Sequence, residues 1–189
     1  MNRPYTIVHL TQGTTEWLEW RHQGIGASDA PTIMGENPWK WADQLRIEKQ
    51  RPARAEGQNE AMAVGTALEP MARAHYCESA GIIVEPACLH SIEHDWLRAS
   101  VDGITADGQR VVEIKCGQSA YRKTAASGHA PGYYFGQLQH ILAVTGLPAI
   151  DFLCYFPPNP PILLEVKRKD DYIEKLLLAE QRFWKSLRG

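Results

Sequence analysis

Hydrophobic spacing changes twice along the chain. Thr14 or Thr15 can cap a short helix running through Trp17 and Arg21 and stopping at Gly24 or Gly26. Ser28-Asp29 offers the N-cap of a further short helix ending at Gly35, and Trp41 to Gln50 reads as helical. Residues 51–60, basic and containing Gly and Pro, read as a loop or mobile arm. From about Glu60 to Ala80 the pattern predicts a longer helix, with Met62, Leu68, Met71 and Tyr76 facing inward and Gly81 as its stop. The period then shortens: Ile82–Val84, Leu97–Val101 and Val111–Ile114 are β-type runs, with a turn over residues 106–109. Gly132 to Thr145 returns to helix, closed by Gly146 and Pro148. Ile150–Phe156 and Ile162–Val166 are strands around a proline-rich turn. Asp171 with Glu174 opens a last helix whose Leu176, Leu177, Phe183, Trp184 and Leu187 should pack inward. The expected fold is α/β (α+β), a central mixed β-sheet flanked by helices, in one domain over residues 1–189.

Composition narrows the class. Apolar residues make up 44% and charged residues 22% of the 189, ordinary for a globular protein with a real core. No signal peptide is recognisable in the first dozen residues and no run is long enough to cross a bilayer, so a cytoplasmic location is expected. Cys77, Cys88, Cys116 and Cys154 are scattered without a CxxC pair, which points to free, mostly buried thiols rather than zinc or iron–sulfur ligands. A net charge of −2 argues against a simple electrostatic DNA coater. It leaves room for a nuclease, whose metal site concentrates carboxylates.

The informative stretch is S-V-D-G from Ser100 followed by E-I-K from Glu113. Strand side chains alternate faces, so Glu113 and Lys115 share one face while Val112 and Ile114 take the other. A turn at Asp107-Gly108 lets the Asp102 strand lie beside the Glu113 strand. Two carboxylates and an ammonium can then converge. Close carboxylates repel, and one holds a proton unless a cation neutralises them. Magnesium suits such a pair, and a phosphodiester with an attacking water is the chemistry it serves. Lys115 would orient or help deprotonate that water, or offset charge in the transition state. The plain alternative is a solvated β-hairpin with an exposed Glu–Lys pair. The Asp-Gly step, the hairpin spacing and the alternating apolar residues bring the two readings level.

Five segments in order resemble a known family: W-L-E-W-R-H-Q-G-I-G-A-S-D from Trp17, G-T-A-L-E-P from Gly65, S-V-D-G from Ser100, E-I-K from Glu113 and Y-F-G-Q-L-Q from Tyr134. Together they look like the lambda-exonuclease-like (YqaJ-type) phage recombination nucleases of the PD-(D/E)XK superfamily, whose fold is restriction-endonuclease-like. The resemblance implies a magnesium-dependent 5′-to-3′ exonuclease. Such an enzyme degrades one strand of linear duplex DNA to 5′-mononucleotides and leaves a 3′ overhang for single-strand annealing. Two ions are implied, with manganese as a substitute. Asp102 and Glu113 would be metal ligands, with the Ile114 carbonyl completing the shell and Lys115 serving the water. Glu69 would add a carboxylate near a second metal or the water, and Gln137 would hydrogen-bond within the site. Arg21 and Ser28 match the pair that holds the 5′-terminal phosphate, a guanidinium fork beside a hydroxyl. Trp17 and Trp20 would pack their helix, with stacking on a base as the alternative. The motif's usual proline before Asp is Val101 here, a departure that bears on geometry more than on catalysis.

Arg46, Lys49, Arg51 and Arg54 are candidate DNA-backbone contacts, although a basic run is as often a solvated face. The resemblance further implies a ring trimer around duplex DNA and a single-strand annealing protein as partner. Two alternatives stay open: a RecB-like or Cas4-like endonuclease or repair nuclease of the same superfamily, and a non-catalytic DNA-binding recombination scaffold. Plain surface roles remain open for Glu69, Gln137, Arg21 and Ser28.

Overall fold

A computed structural model describes residues 3–53 and 60–188. Most of the basic stretch, including Arg54, lies outside the described residues. In chain order the elements are β1 (Tyr5–Val8), α1 (Thr15–His22), a 3-10 turn (Ala27–Asp29), α2 (Ala30–Ile33), α3 (Ala42–Lys49), α4 (Glu60–Ala80), β2 (Glu85–Ser91), β3 (Arg98–Ile104), β4 (Val111–Cys116), α5 (Gln118–Ser127), a second 3-10 turn (Gly132–Tyr134), α6 (Phe135–Thr145), β5 (Ala149–Tyr155), β6 (Ile162–Lys167) and α7 (Asp170–Arg188).

The strands lie side by side in chain order. Every neighbouring pair is antiparallel except β4 and β5, which run parallel. A parallel step needs a crossover, and α5 with α6 provides it. The sheet is therefore mixed, as its sequence pattern predicts.

Alternation along β4 sorts its side chains between two cores. Val111 joins the larger one with Leu138, Ile141 and Leu142 of α6 and Phe183 and Trp184 of α7. Val112 and Ile114 join the smaller one with Ala72 and Tyr76 of α4. Each face of the sheet is thus covered by helix. Among the described residues no helix is long and apolar enough to cross a membrane.

Several boundaries differ from the sequence pattern. The strand expected at Ile82–Val84 lies at Glu85–Ser91 instead, and β1 and α5 have no counterpart in the expected elements. Met71, expected inside, is exposed, and its neighbour Ala72 is buried in its place. All four cysteines are free thiols, Cys88 and Cys154 buried and the other two half-buried.

Candidate active site

β3 and β4 pair only briefly, through Gly103 with Val112 and Ile104 with Val111. One residue further, the Asp102 side chain replaces the ladder: its Oδ2 accepts from the Ile114 backbone N–H at 2.7 Å. Gly103 permits this close approach. A Cβ there would stand 2.6 Å from Val84 Cγ2 and 2.8 Å from Val112 Cγ1.

Glu113 is 2% exposed. Its Oε1 accepts from Lys115 Nζ at 2.7 Å and from Gln137 Nε2 at 2.6 Å. Its Oε2 is buried with no hydrogen-bond partner. Burial and the Asp102 carboxylate push the Glu113 carboxyl up to about 7, against the opposing pull of Lys115. Asp102 is also raised, by burial, with Lys115 and the Ile114 N–H working against the shift. Burial opposes the charge on Lys115, but Glu113 and Asp102 outweigh it and hold the ammonium above its ordinary value. Its Nζ also stands 4.8 Å from the centre of the Tyr134 ring.

Glu69 sits on α4, half-buried, bonded to Arg73 one turn along. Arg73 Nε in turn donates to the Asp102 carbonyl at 2.6 Å. Burial and Asp102 raise the Glu69 carboxyl, and Arg73 and Lys115 oppose that. The structure thus brings Glu69, Asp102, Glu113, Lys115 and Gln137 to one place.

An orphaned oxygen beside two raised carboxylates is a site short of positive charge, and a divalent cation fits that need. Magnesium usually takes one or two carboxylates and keeps its waters, and Asp102 with Glu113 is such a pair. Among the described residues no cluster of three or more His, Cys, Asp or Glu side chains offers a fuller cage.

The same cleft, about 180 Å³, is lined at its other end by Trp17, Trp20, Arg21, Ser28 and Arg98. Ile25 forms a parallel bridge with Leu97, which ties this segment to the start of β3. Arg21 donates to Ser28 Oγ at 2.5 Å and lies 5.3 Å from the Trp17 ring centre. Trp17 Nε1 donates to Ser100 Oγ at 2.8 Å, and Arg98 sits over Trp20 while bonding that residue's carbonyl. One end of the cleft is therefore cationic and hydroxylic, and the other is carboxylate-rich.

The remaining basic candidates divide. Lys49 does not reach outward: its Nζ pairs with Asp29 Oδ2 at 2.9 Å and donates to the Gly24 carbonyl at 2.8 Å. Burial would raise the Asp29 carboxyl, but Lys49 and Arg21 hold it down to about 2. Lys49 thus ties the end of α1, which carries Arg21, to the 3-10 turn that carries Ser28. Arg46 donates to Ser186 Oγ at 2.7 Å and lies over Phe183, which engages it with α7. Arg51 is exposed, and Arg54 lies outside the described residues.

The cleft also holds Gln12, Arg98 and Ser100, for which sequence reasoning assigned no role. A signal existed for two of them: Arg98, Ser100 and Asp102 are spaced by two on one strand and share its face.

Residues 16–148 match the family model of the YqaJ-like viral recombinase domain. The chain is 31% identical over 175 residues to the uncharacterized protein YqaJ of Bacillus subtilis (strain 168), covering 89% of this chain and 54% of that protein. It spans about half the length of that curated relative. The fold resembles the crystal structure of an alkaline exonuclease from Laribacter hongkongensis, with a TM-score of 0.82 and 27% identity over 93% of each chain. A phage related exonuclease from Haemophilus somnus 129PT shares the fold at a TM-score of 0.59 and 15% identity, over 87% of this chain and 94% of that one.

Proposed function

This chain belongs to the YqaJ-like viral recombinase domain family, and from that premise we propose that it is a magnesium-dependent 5′-to-3′ exonuclease acting on linear duplex DNA. One observation carries the reading. Glu113 is buried with one oxygen held by Lys115 and Gln137 and the other unpartnered, beside Asp102. The likeness to an alkaline exonuclease supports the reaction class.

Asp102, Glu113 and the Ile114 carbonyl would hold the cation, with Glu69 in reserve for a second ion or for the water. Bound there, the metal supplies Lewis-acid activation of the phosphodiester and of the water that attacks it. The chain's own groups do the rest. Gln137 and Lys115 fix the Glu113 carboxylate through its Oε1, which leaves Oε2 free to ligate. Lys115, held as an ammonium, orients the water and offsets negative charge on the phosphoryl oxygens rather than removing a proton. Arg21 and Ser28 would grip the terminal 5′-phosphate across the cleft. The first phosphodiester then meets the carboxylates, and cutting depends on an end.

End-labelled linear duplex with magnesium should release 5′-mononucleotides from one strand and leave a closed circle intact. Linear duplex left uncut would overturn the reading, and cleavage of the circle would turn it toward an endonuclease. Lys115→Ala should lower turnover by about 10²–10³ while metal and DNA binding persist. Arg21→Ala should erase the preference for 5′-phosphorylated over 5′-hydroxyl ends, and an unchanged ratio would sink the anchor. The family resemblance adds a ring trimer and a single-strand annealing partner to the proposal. A solution mass of three chains is the expected result.

A further inference from the structure

A ladder of rings and cations leads outward from Lys115. Tyr134, whose ring faces Lys115 Nζ, meets Tyr133 edge-to-face at 4.5 Å. Tyr133 meets Trp39 edge-to-face at 4.8 Å. Lys123 Nζ stands 4.6 Å from the Tyr133 ring centre and 6.0 Å from that of Trp39. Trp39 is 67% exposed. Its loop, α5 and the second 3-10 turn each contribute one member of the outer cluster, and the ladder joins that cluster to the candidate catalytic lysine.

Charge is uneven around it. The whole chain carries −2, yet residues 114–150 contain no Asp or Glu, while Lys115, Arg122 and Lys123 lie among them. An exposed indole packed beside a lysine and a tyrosine that lie on an acid-free stretch is complementary to a polyanion that carries flat rings.

We propose that Trp39, Tyr133 and Lys123 form a binding site for unpaired nucleotides of a DNA single strand, continuous with the cleft at Lys115. A base stacks on the open face of Trp39, and a backbone phosphate meets Lys123. Unpaired nucleotides are favoured because bases within a duplex already have both faces covered by their neighbours. The inference rests on the proposed nuclease function for the choice of DNA; the stacking and charge pairing do not require turnover.

The test uses the full chain and a short fluorescein-labelled oligo-dT, with anisotropy read in EDTA over a series of salt concentrations. Trp39→Ala should weaken binding about tenfold, and Trp39→Phe should recover most of the loss. Lys123→Ala should reduce the slope of log K against log salt by about 0.7, the loss of one phosphate contact. Both side chains are exposed, so the variants should melt with the wild type. Failure of the wild-type chain to bind oligo-dT, or unchanged affinity in Trp39→Ala, overturns the site. A changed sedimentation mass in Trp39→Ala with oligo-dT affinity unaltered assigns the surface to a second copy of the chain and also overturns it. Degradation of linear duplex is scored separately. Trp39-dependent binding without degradation would leave the site standing while the nuclease reading fell, and degradation with Trp39-independent binding would do the reverse.

Discussion

Glu113 shows how one buried side chain sets conditions for the whole site. Its carboxyl is pushed up to about 7 by burial and by Asp102, although Lys115 pulls the other way. The folded chain then keeps a proton that the unfolded chain releases above roughly pH 4.3. Between those values, rising pH weakens the metal-free fold. A cation needs the ionised form, so magnesium should raise the melting temperature at about pH 8 and hardly at all at about pH 5.5. Glu113→Gln should abolish that difference in a thermal scan, and equal magnesium shifts at both pH values in the wild type would contradict it. At this scale residue type and strand alternation were enough to foresee that Asp102, Glu113 and Lys115 meet. They could not separate Lys49 from its basic neighbours, because the partner that buries Lys49, Asp29, is supplied only by the folding of a distant loop.

Among the elements, α4 was legible at both ends and α7 at its start, the latter from a strong apolar stripe. The misses have physical causes. β2, with sequence EPACLHS, carries a proline and polar residues that hide a strand, while the apolar Ile82–Val84 run before it precedes the pairing. α5, QSAYRKTAAS, buries only Ala120 and Thr124, too little to show a hydrophobic stripe. Met71 was misplaced by a single residue, which on a helix turns a side chain by about 100°. The contact of β3 with β4 makes its own prediction. Gly103→Ala would drive a Cβ against Val84 and Val112, and should destabilise the chain by about 1–3 kcal/mol in denaturant titrations. Adding Val84→Ala opens space on one side, so the double variant should lose less than the two single costs combined.

Across the whole molecule, a buried pair knits the C-terminal helix to the cleft. His140 Nδ1 on α6 meets Glu180 Oε1 on α7 at 2.7 Å, and His140 Nε2 meets the Arg98 carbonyl on β3 at 2.8 Å. Both ring nitrogens face acceptors, which suits an imidazolium. Burial opposes that charge, but Glu180 outweighs it and raises the His140 value. Glu180→Ala removes the acceptor at Nδ1, so the imidazole sheds its proton and the tie between α6 and α7 is lost, at a cost of about 1–3 kcal/mol read as a lower midpoint of unfolding. The Arg98 carbonyl belongs to the residue whose guanidinium packs on Trp20, so loosening α7 should also disturb the cationic end of the cleft.

The bond from Asp102 to the Ile114 amide gives that carboxylate a duty beside the proposed one, since it stitches the seam where β3 and β4 part. Removing the side chain outright would strand a main-chain donor as well as the proposed ligand, so a loss of the proposed cleavage would arrive mixed with a slackened sheet. Asparagine keeps an oxygen for the stitch and surrenders only the charge. The cleaner variant for testing the proposed ligand is therefore the amide, not the truncation.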